Sequence, residues 1–309
     1  MASRVVSCCA LLLTLSAAAQ QPQPGIDSDT LMRDLEVLSA DAMEGRRAGT
    51  PGGARARAYI VERFRRAGIE PFGTTYEKPF TFRTSQEGPA QQGVNVAGAI
   101  RGRRPDGPWM AVTAHYDHLG VRNGQVFNGA DDNASGVAAL LAVATTFRDL
   151  PPEHPILFAA LDAEESGLHG ARALLAAPPV PLHSIALNVN LDMVARDESN
   201  ELFAVGTHHY PFLKPYLQDI AVPPVELRFG HDGPNAMGTD WTRDSDHFVF
   251  HQAGIPFVYF GVEDAVHYHK VTDDAETVSK AFFVAAVTTI AMAIRRLDAH
   301  LGAIRRNRK

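Results

Sequence analysis

The sequence predicts a three-layer α/β sandwich, in which a mostly parallel, mixed central sheet lies between helices on both of its faces. Two observations predict this fold. Short apolar runs of strand length alternate with stretches in which apolar residues recur at helical spacing, a pattern typical of a parallel sheet covered by helices. The length of 309 residues also accommodates one large α/β domain, given that domains commonly hold ~100–200 residues.

The elements of this fold can be followed in order along the chain. Two helical patterns come first, one in which Leu31, Leu35 and Leu38 share a face and an amphipathic one at residues 53–67. Later apolar runs of strand length occupy residues 109–114, 156–161, 184–191 and 256–261. Helical patterns follow at residues 137–147, 167–176 and 278–297. The polar stretch 84–92 is predicted to be a hairpin tip or a short connection.

The N-terminus carries the pattern of an export signal. Arg4 precedes an apolar run at residues 5–15, and small residues then lead to Ala19. The run is shorter than the ~20 apolar residues that a membrane-spanning helix needs. The exported protein would therefore be periplasmic or extracellular, without stable membrane insertion. The expected divisions are a signal peptide at 1–19 with cleavage near Ala19, a linker at 20–25 and a single folded domain at 26–309.

Composition excludes one class of partner. The formal net charge of −6 and the isoelectric point near 6.1 argue against nucleic acid, which would call for a basic patch or stripe. Both cysteines, Cys8 and Cys9, lie in the predicted export signal, so the mature chain would contain no disulfide. Nothing in the sequence indicates an oligomeric state.

Titratable side chains follow each of the four apolar runs. In an open α/β sheet the carboxyl ends of the strands form the ligand-binding edge, so these groups are expected to meet there. Any one of them could be a helix cap or a solvated surface group, but independent caps have no reason to collect at successive strand ends. The groups are His115, Asp117 and His118, then Asp162, Glu164 and Glu165, then Asp192, then His267 and His269, with Asp131 and Asp132 before the helix at 137–147.

Such a collection of carboxylates and imidazoles indicates bound metal. Crowded carboxylates resist ionisation unless a cation neutralises them. Imidazole and carboxylate ligands without thiolates suit zinc, with cobalt or manganese as substitutes. Because about five ligands exceed what one catalytic zinc uses, the sequence predicts two zinc ions sharing a bridging carboxylate, an arrangement that performs hydrolysis.

Around these residues the sequence resembles the co-catalytic zinc exopeptidase family that includes bacterial leucyl aminopeptidases and glutamate carboxypeptidase. The similarity runs through most of the expected mature chain in consistent order, and the family's usual fold is a mixed sheet between helices. The strings that carry it are LSADAMEGRRAGTPGG, AHYDHLG, NGADDNASGVAALL, LDAEESGLHGA, NVNLDM, SDHFVFHQAGIP and YHKVTDD.

The resemblance implies metal-binding roles for five residues. His115 and Asp192 match the ligands of one zinc, whereas Glu165 and His269 match those of the other. Asp132 matches the bridging aspartate, which takes the fourth place in the family's GxxDxxSG-like string. In the family a cis peptide often follows this aspartate, here between Asp132 and Asn133.

Three further residues match supporting roles. Glu164 matches the general base, which takes a proton from the attacking water and passes it to the leaving amine. Neighbouring side chains in an extended segment point to opposite sides, so Glu164 and Glu165 are expected to do different work. Asp117 resembles the carboxylate that orients a ligating histidine, and Tyr268 is a candidate hydrogen-bond donor to the developing oxyanion.

Some positions stay open at this level. The family often has an acidic residue where this chain has His267, so His267 and His269 compete for one ligand role, and the spacing to Asp273 favours His269. Asp246 and His247 are candidate supporting residues near the site. The glycine-rich stretch 229–241, which contains Phe229, Met237 and Trp241, could line an apolar pocket.

The implied activity is hydrolysis at peptide termini, with an aminopeptidase acting on peptide substrates as the favoured interpretation. A carboxypeptidase would need cations to hold a terminal carboxylate, and Arg172, Arg196 and Arg243 are the candidates. Glutaminyl cyclase relatives work with one zinc, and related receptor domains have lost the site. The intact ligand set favours the two-zinc enzyme over both.

Overall fold

The computed structural model describes residues 25–233 and 239–308. The predicted signal peptide, and the linker as far as residue 24, lie outside the described residues, as does Met237 of the glycine-rich stretch. The three-layer α/β architecture is confirmed, because one large mixed sheet lies between two sets of helices. None of the helices within the described ranges is both long and apolar enough to cross a membrane.

The sheet has four parallel strands at its centre, which pair antiparallel with β3 on one side and with β9 on the other. Strand order across the main path is β1-β3-β7-β4-β8-β11-β9-β10, and β2 pairs with β3. Pairing is parallel for β7–β4, β4–β8, β8–β11 and β9–β10, and antiparallel for the others. The strands are β1 (Glu70–Pro71), β2 (Glu77–Phe82), β3 (Gln91–Ile100), β4 (Trp109–His115), β7 (Ile156–Leu161), β8 (Ile185–Leu191), β9 (Glu201–Val205), β10 (Glu226–Phe229) and β11 (Phe257–Gly261), with a separate hairpin of β5 (Gly120–Arg122) and β6 (Gln125–Phe127).

Two sets of helices cover the faces of the sheet. One face packs against α1, α2, α3 and α7, and the other against α4 and α6. The apolar helix α3 is buried on nearly all sides, since it lies between the sheet and the outer helices α1 and α7. The helices are α1 (Ser28–Leu38), α2 (Pro51–Ala67), α3 (Gly136–Thr146), α4 (His169–Ala176), α5 (Lys214–Leu217), α6 (His247–Gln252), α7 (Lys280–Ala299) and α8 (Leu301–Asn307).

Local sequence explains where the longer helices begin and end. The side chain of Thr50 accepts a hydrogen bond from the Gly53 amide, Pro51 follows as the first helical residue, and Gly68 ends α2 in the left-handed region. Asp27 caps α1 in the same way, and Ser279 caps α7. These caps satisfy amide groups that a helix leaves free at its first turn.

The predicted core elements agree with the structure to within about two residues. The apolar runs are strands β4, β7, β8 and β11, and the three later helical patterns are α3, α4 and α7. Residues 84–92 lie largely in the connection between β2 and β3, as a hairpin tip requires. The sequence did not predict β3, β9, β10 or the short helix α6.

Candidate metal centre

The first half of the centre is built on two neighbouring parallel strands. His115 is the last residue of β4, and Asp192 directly follows β8, so the shared register brings both to the carboxyl edge of the sheet. His115 Nε2 lies 3.1 Å from Asp192 Oδ1. Burial opposes a charge on His115, yet the carboxylates of Asp192 and Glu164 raise the pKa of its imidazole well above the usual value.

Asp132 lies between the two halves, on the turn that precedes α3. Its peptide bond to Asn133 is cis, as the resemblance implied. The amides of Asp131 and Asp132 donate to the two carboxylate oxygens of Asp273, at 2.9 and 3.0 Å. The Asn133 side chain donates to the Leu191 carbonyl at the end of β8. Asp132 is therefore fixed beside the strand ends by buried hydrogen bonds.

The two carboxylate oxygens of Asp132 face different partners. Oδ1 lies 3.4 Å from His115 Nε2, whereas Oδ2 lies 3.2 Å from His269 Nε2. Asp131 points elsewhere, since its Oδ1 accepts a hydrogen bond from the Ala195 amide at 2.8 Å. This geometry favours Asp132 over Asp131 as the residue that two ions would share.

The second half of the centre gathers Glu165, His269 and His118. Glu165 Oε2 lies 3.2 Å from His269 Nε2, and Glu165 Oε1 lies 2.6 Å from His118 Nδ1. Although burial works against ionisation, hydrogen bonds from His118 and His269 hold the pKa of the Glu165 carboxyl below its usual range. Hydrogen bonds to Asp132 and Glu165 raise the pKa of His269 to about 10.

These side chains fit the metals that their chemistry implies. Two sets of three residues could each hold a metal ion, because within each set the ligand atoms lie within 4.8 Å of one another: His115, Asp132 and Asp192, and His118, Asp132 and Glu165. All are nitrogen or oxygen donors, and Asp132 belongs to both sets. Three carboxylates so close together in a buried site call for a cation. Zinc suits this mixture of imidazole and carboxylate.

The structure brings together all five predicted ligand residues, and it adds His118. Their individual roles stay predictions. His118 occupies the third position after His115 and is 1 % exposed, and its placement against Glu165 was not foreseen. The available signal was its position in the same strand-end string as His115. His267, the competing histidine, faces Thr272 at 3.0 Å rather than the centre.

Glu164 lies beside the ligands without joining either set. Glu164 lines a large cavity of about 660 Å³ together with the ligand residues, and desolvation by burial raises the pKa of its carboxyl group well above the usual value. The Glu164 amide donates to Asp117 Oδ1 at 3.0 Å. A carboxyl with a raised pKa at the edge of a metal centre suits proton transfer.

Asp117, which the resemblance predicts to orient a ligating histidine, lies beside His115. Its backbone carbonyl is 3.1 Å from His115 Nδ1, and its carboxylate is 3.8 Å from the same atom. The carboxylate also holds the Glu164 amide. Asp117 thus contacts both a candidate ligand and the candidate base segment.

Two buried arginines bind the segments that carry the candidate ligands. Arg196 binds Asp264 and Asp273, each at 2.7 Å, and Asp273 in turn holds the turn that carries Asp132. Arg46 is fully buried and donates to the backbone carbonyls of Tyr116, which follows His115, and of Gly129, which lies three positions before Asp132. Arg196 is thereby committed to ion pairs inside the protein and is not free to hold a substrate carboxylate.

The remaining candidates occupy varied positions. Tyr268 is 48 % exposed, lines the large cavity and stacks on His269 with ring centres 3.9 Å apart. Asp246 is fully buried, and burial raises the pKa of its carboxyl to about 7.

Of the residues proposed to line a pocket or to hold a carboxylate, Trp241 and Arg243 line the large cavity. Phe229 packs against the main core, and Arg172 donates to Gly167 on the outer side of α4.

An open α/β sheet with histidine and carboxylate groups paired across a shared aspartate is the architecture of a metal-dependent hydrolase. The chain belongs to peptidase family M28, whose profile matches residues 95–294. That span contains all five predicted ligand residues, together with Glu164 and Tyr268.

Two curated relatives each align with part of the chain. Aminopeptidase YwaD of Bacillus subtilis is 30 % identical over 213 residues, which are 66 % of this chain and 42 % of that protein. The alkaline phosphatase isozyme conversion protein of Escherichia coli is 28 % identical over 173 residues, 52 % of this chain and 48 % of the other. The chain thus spans less than half the length of these two curated relatives.

Solved structures show the same fold at lower identity. The aminopeptidase from Aneurinibacillus sp. strain AM-1 superposes with a TM-score of 0.71 at 16 % identity, over 87 % of this chain and 93 % of the other. A glutaminyl cyclase of Bacteroides thetaiotaomicron superposes with a TM-score of 0.69 at 18 % identity, over 89 % of this chain and 99 % of the other. Fold alone therefore does not separate peptide hydrolysis from cyclisation.

Proposed function

We propose that this chain is a two-zinc aminopeptidase that removes residues from the free N-termini of peptides. The observation that carries the proposal is the position of Asp132, which presents one carboxylate oxygen to His115 and the other to His269. A carboxylate shared between two ligand sets suits a pair of metal ions. One ion would be held by His115, Asp192 and Asp132, and the other by Asp132, Glu165 and His269, with His118 against Glu165.

Zinc held by these residues would supply Lewis acidity, which activates water near neutral pH and polarises a peptide carbonyl. The residues of the chain would supply proton transfer and stabilisation of the oxyanion. Glu164 takes the proton from the attacking water and returns it to the leaving amine, a shuttle that its raised pKa supports. Tyr268 lines the same cavity, and its hydroxyl would donate to the developing oxyanion.

The charge of the large cavity favours recognition of an amine. Asp244, Glu263 and Asp264 line its described wall together with the ligand residues. Arg243 also lines the cavity, with its guanidinium 5.4 Å from the ring centre of Phe248. Zinc would neutralise the ligand carboxylates, and Arg196 pairs with Asp264, so Asp244 and Glu263 are the carboxylates that attract a cationic α-amine and repel a terminal carboxylate. The large cavity is therefore assigned to the amino-terminal residue of the substrate.

We also propose that the protein is exported and acts in the periplasm or outside the cell. The support is the sequence pattern at residues 1–19, in which a basic residue, a short apolar run and small residues follow one another. Mass spectrometry of the N-terminus after expression in a bacterial host tests this. A mature protein beginning near residue 20 is expected, and an intact N-terminus in a purely cytoplasmic fraction would overturn it.

The activity is tested with peptides that carry free or acetylated N-termini and free or amidated C-termini, before and after chelation and zinc return. Zinc-restored cleavage that requires a free amine is the expected result. Cleavage that requires a free C-terminus instead would make the protein a carboxypeptidase. Conversion of an N-terminal glutamine without peptide cleavage would assign it to the glutaminyl cyclases.

A further inference from the structure

A second cavity meets the candidate metal centre at Glu165. It encloses about 360 Å³, and its wall contains Asp117, His118 and Glu165 from the centre together with Arg47 and Arg122. Glu165 also lines the large cavity. We call the smaller one the arginine cavity. The candidate metal centre therefore borders two cavities with different linings, and the arginine cavity carries two guanidinium groups beside the carboxylates of Asp117 and Glu165.

Close backbone packing fixes where the two arginines lie. Arg47 follows the 3-10 turn Asp41–Arg46, and Arg122 ends the first strand of the β5–β6 hairpin. A side chain at Gly45 would come within 2.4 Å of the Phe127 carbonyl, and one at Gly120 within 2.8 Å of the Arg47 Cβ. Both glycines also have positive φ, which other residues adopt at a cost. The turn is thus pressed onto the hairpin, and the stem of Arg47 crosses Gly120.

Neither guanidinium is neutralised by a carboxylate within 4.0 Å in the described part of the chain. Arg122 donates to the Leu119 carbonyl at 3.3 Å and lies over the Phe127 ring at 5.6 Å. By contrast, Arg55 and Arg57 in the adjacent helix α2 are paired with Glu44 and Glu77. The arginines of the cavity therefore keep their charge and donors available for a ligand.

We propose that the arginine cavity holds a carboxylate on the leaving-group side of the scissile bond. The proposal rests on the aminopeptidase function: if the acidic large cavity takes the amino-terminal residue, the cavity that meets it at Glu165 takes the second residue of the substrate. Guanidinium groups bind carboxylates through charge-assisted hydrogen bonds. The carboxylate would belong either to the C-terminus of a dipeptide or to an acidic side chain in the second residue.

The test compares pairs of substrates that differ only in charge. The purified zinc-loaded protein is assayed with Leu-Gly and Leu-Gly-amide, with Leu-Glu-amide and Leu-Gln-amide, and with leucine p-nitroanilide, which lacks a carboxylate. The expected kcat/KM is about tenfold higher for the charged member of at least one pair, a modest value for charge-assisted hydrogen bonds from exposed arginines. The first pair reports a C-terminal carboxylate, and the second reports an acidic side chain.

Variants assign the preference to the two arginines. Arg47→Gln and Arg122→Gln keep most of the side-chain stem and remove the charge, and we expect each to reduce the charged-to-uncharged ratio several-fold. Arg101→Gln is the matched control, because Arg101 follows β3 at the opposite end of the strands and pairs with Glu70. A ratio that survives in both cavity variants, or that falls equally in the control, would overturn the assignment.

The failure of this proposal is distinguishable from failure of the aminopeptidase function. Equal rates on both members of both pairs, with leucine p-nitroanilide still hydrolysed, would overturn the arginine cavity alone. No hydrolysis of any leucine substrate would overturn the aminopeptidase. Calorimetry with the zinc-loaded Glu164→Gln protein then compares binding of Leu-Gly and its amide, and equal affinity or no binding contradicts the carboxylate site.

Discussion

The two halves of the candidate centre are built in different ways. His115 and Asp192 stand at the ends of adjacent parallel strands, and their side chains are only 2 % and 8 % exposed. His269 stands in a loop after β11, with a positive φ of 56° and a side chain that is 39 % exposed. We call the half with His115 and Asp192 the strand half, because sheet register holds it. We call the half with Glu165 and His269 the loop half, because His269 lies in a loop that depends on side-chain contacts.

This difference indicates unequal metal affinity. A ligand set fixed by the sheet needs little ordering when an ion binds, whereas a loop must lose conformational freedom. Arg196 holds the loop through its ion pairs with Asp264 and Asp273. Asp264 also accepts hydrogen bonds from the Val266 and His267 amides in the turn before His269. We expect the strand half to bind zinc more tightly than the loop half.

The largest effect is expected from Asp132→Ala, which removes the residue that the halves share. Both ions should be lost or greatly weakened, activity should fall to background, and stability should drop because the remaining carboxylates are left without a cation. Metal analysis and thermal unfolding measure this. Asp131→Ala is the matched control, because Asp131 binds the Ala195 amide instead; full zinc content in Asp132→Ala with loss in Asp131→Ala would reverse the assignment.

The next largest effect is expected from Glu164→Gln, which leaves both halves intact. Removal of a positioned proton-transfer group should lower kcat by roughly 10²–10⁴-fold, while zinc content stays at the wild-type level. Glu62→Gln makes the same chemical change on the exposed surface of α2, where Glu62 pairs with Arg66, and should have a small effect. Near-normal turnover in Glu164→Gln would remove Glu164 from the mechanism.

A paired comparison of His115→Gln and His269→Gln addresses the inequality directly. In a titration with a zinc-competing chelator, the wild type should release its ions in two steps. His269→Gln should lower the zinc affinity of the weaker step alone, by ~100-fold or more, because loss of a residue that only supports a ligand already lowers metal affinity ~10–100-fold. His115→Gln should instead remove the tighter step. His267→Gln is the control on the same loop. Identical titrations for the two ligand variants would show that the halves are equivalent.

A smaller effect is expected from Asp273→Asn, which weakens the buried contacts between the Asp132 turn and Arg196. Zinc affinity of the loop half should fall ~10–100-fold, with the tighter step changed less. Asp274→Asn provides the control, because Asp274 accepts a hydrogen bond from Asn128 outside this network. An unchanged weak step in Asp273→Asn would show that the loop is ordered by other contacts.

Much of the fold could be predicted because its centre has a strong local pattern. The strands β4, β7, β8 and β11 are buried on both faces and therefore read as continuous apolar runs. Strand β3 was missed because its sequence, QQGVNVAGAI, is interrupted by glycine and polar residues. The helix α6 has only six residues, too few to display a helical period.

The candidate site likewise contains residues that the sequence could locate and contacts that it could not. Groups at strand ends could be located from the sequence because the parallel sheet itself brings such ends together. Contacts between distant segments leave no local signal, so the contact of Arg46 with Gly129, 83 positions away, and that of Arg196 with Asp264, 68 positions away, are visible only in three dimensions. The arginine cavity belongs to this second class, since Arg47 and Arg122 meet through the packing of a turn on a hairpin.

The most direct test of the two-ion centre is anomalous scattering at the zinc edge from crystals of the zinc-loaded protein. A two-ion centre predicts two peaks ~3.5–4 Å apart, one beside His115 and Asp192 and one beside Glu165 and His269, with a carboxylate oxygen of Asp132 toward each. Partial zinc loading should fill the peak beside His115 first. A single peak at full loading, or two peaks that Asp132 does not connect, would contradict the shared-carboxylate centre.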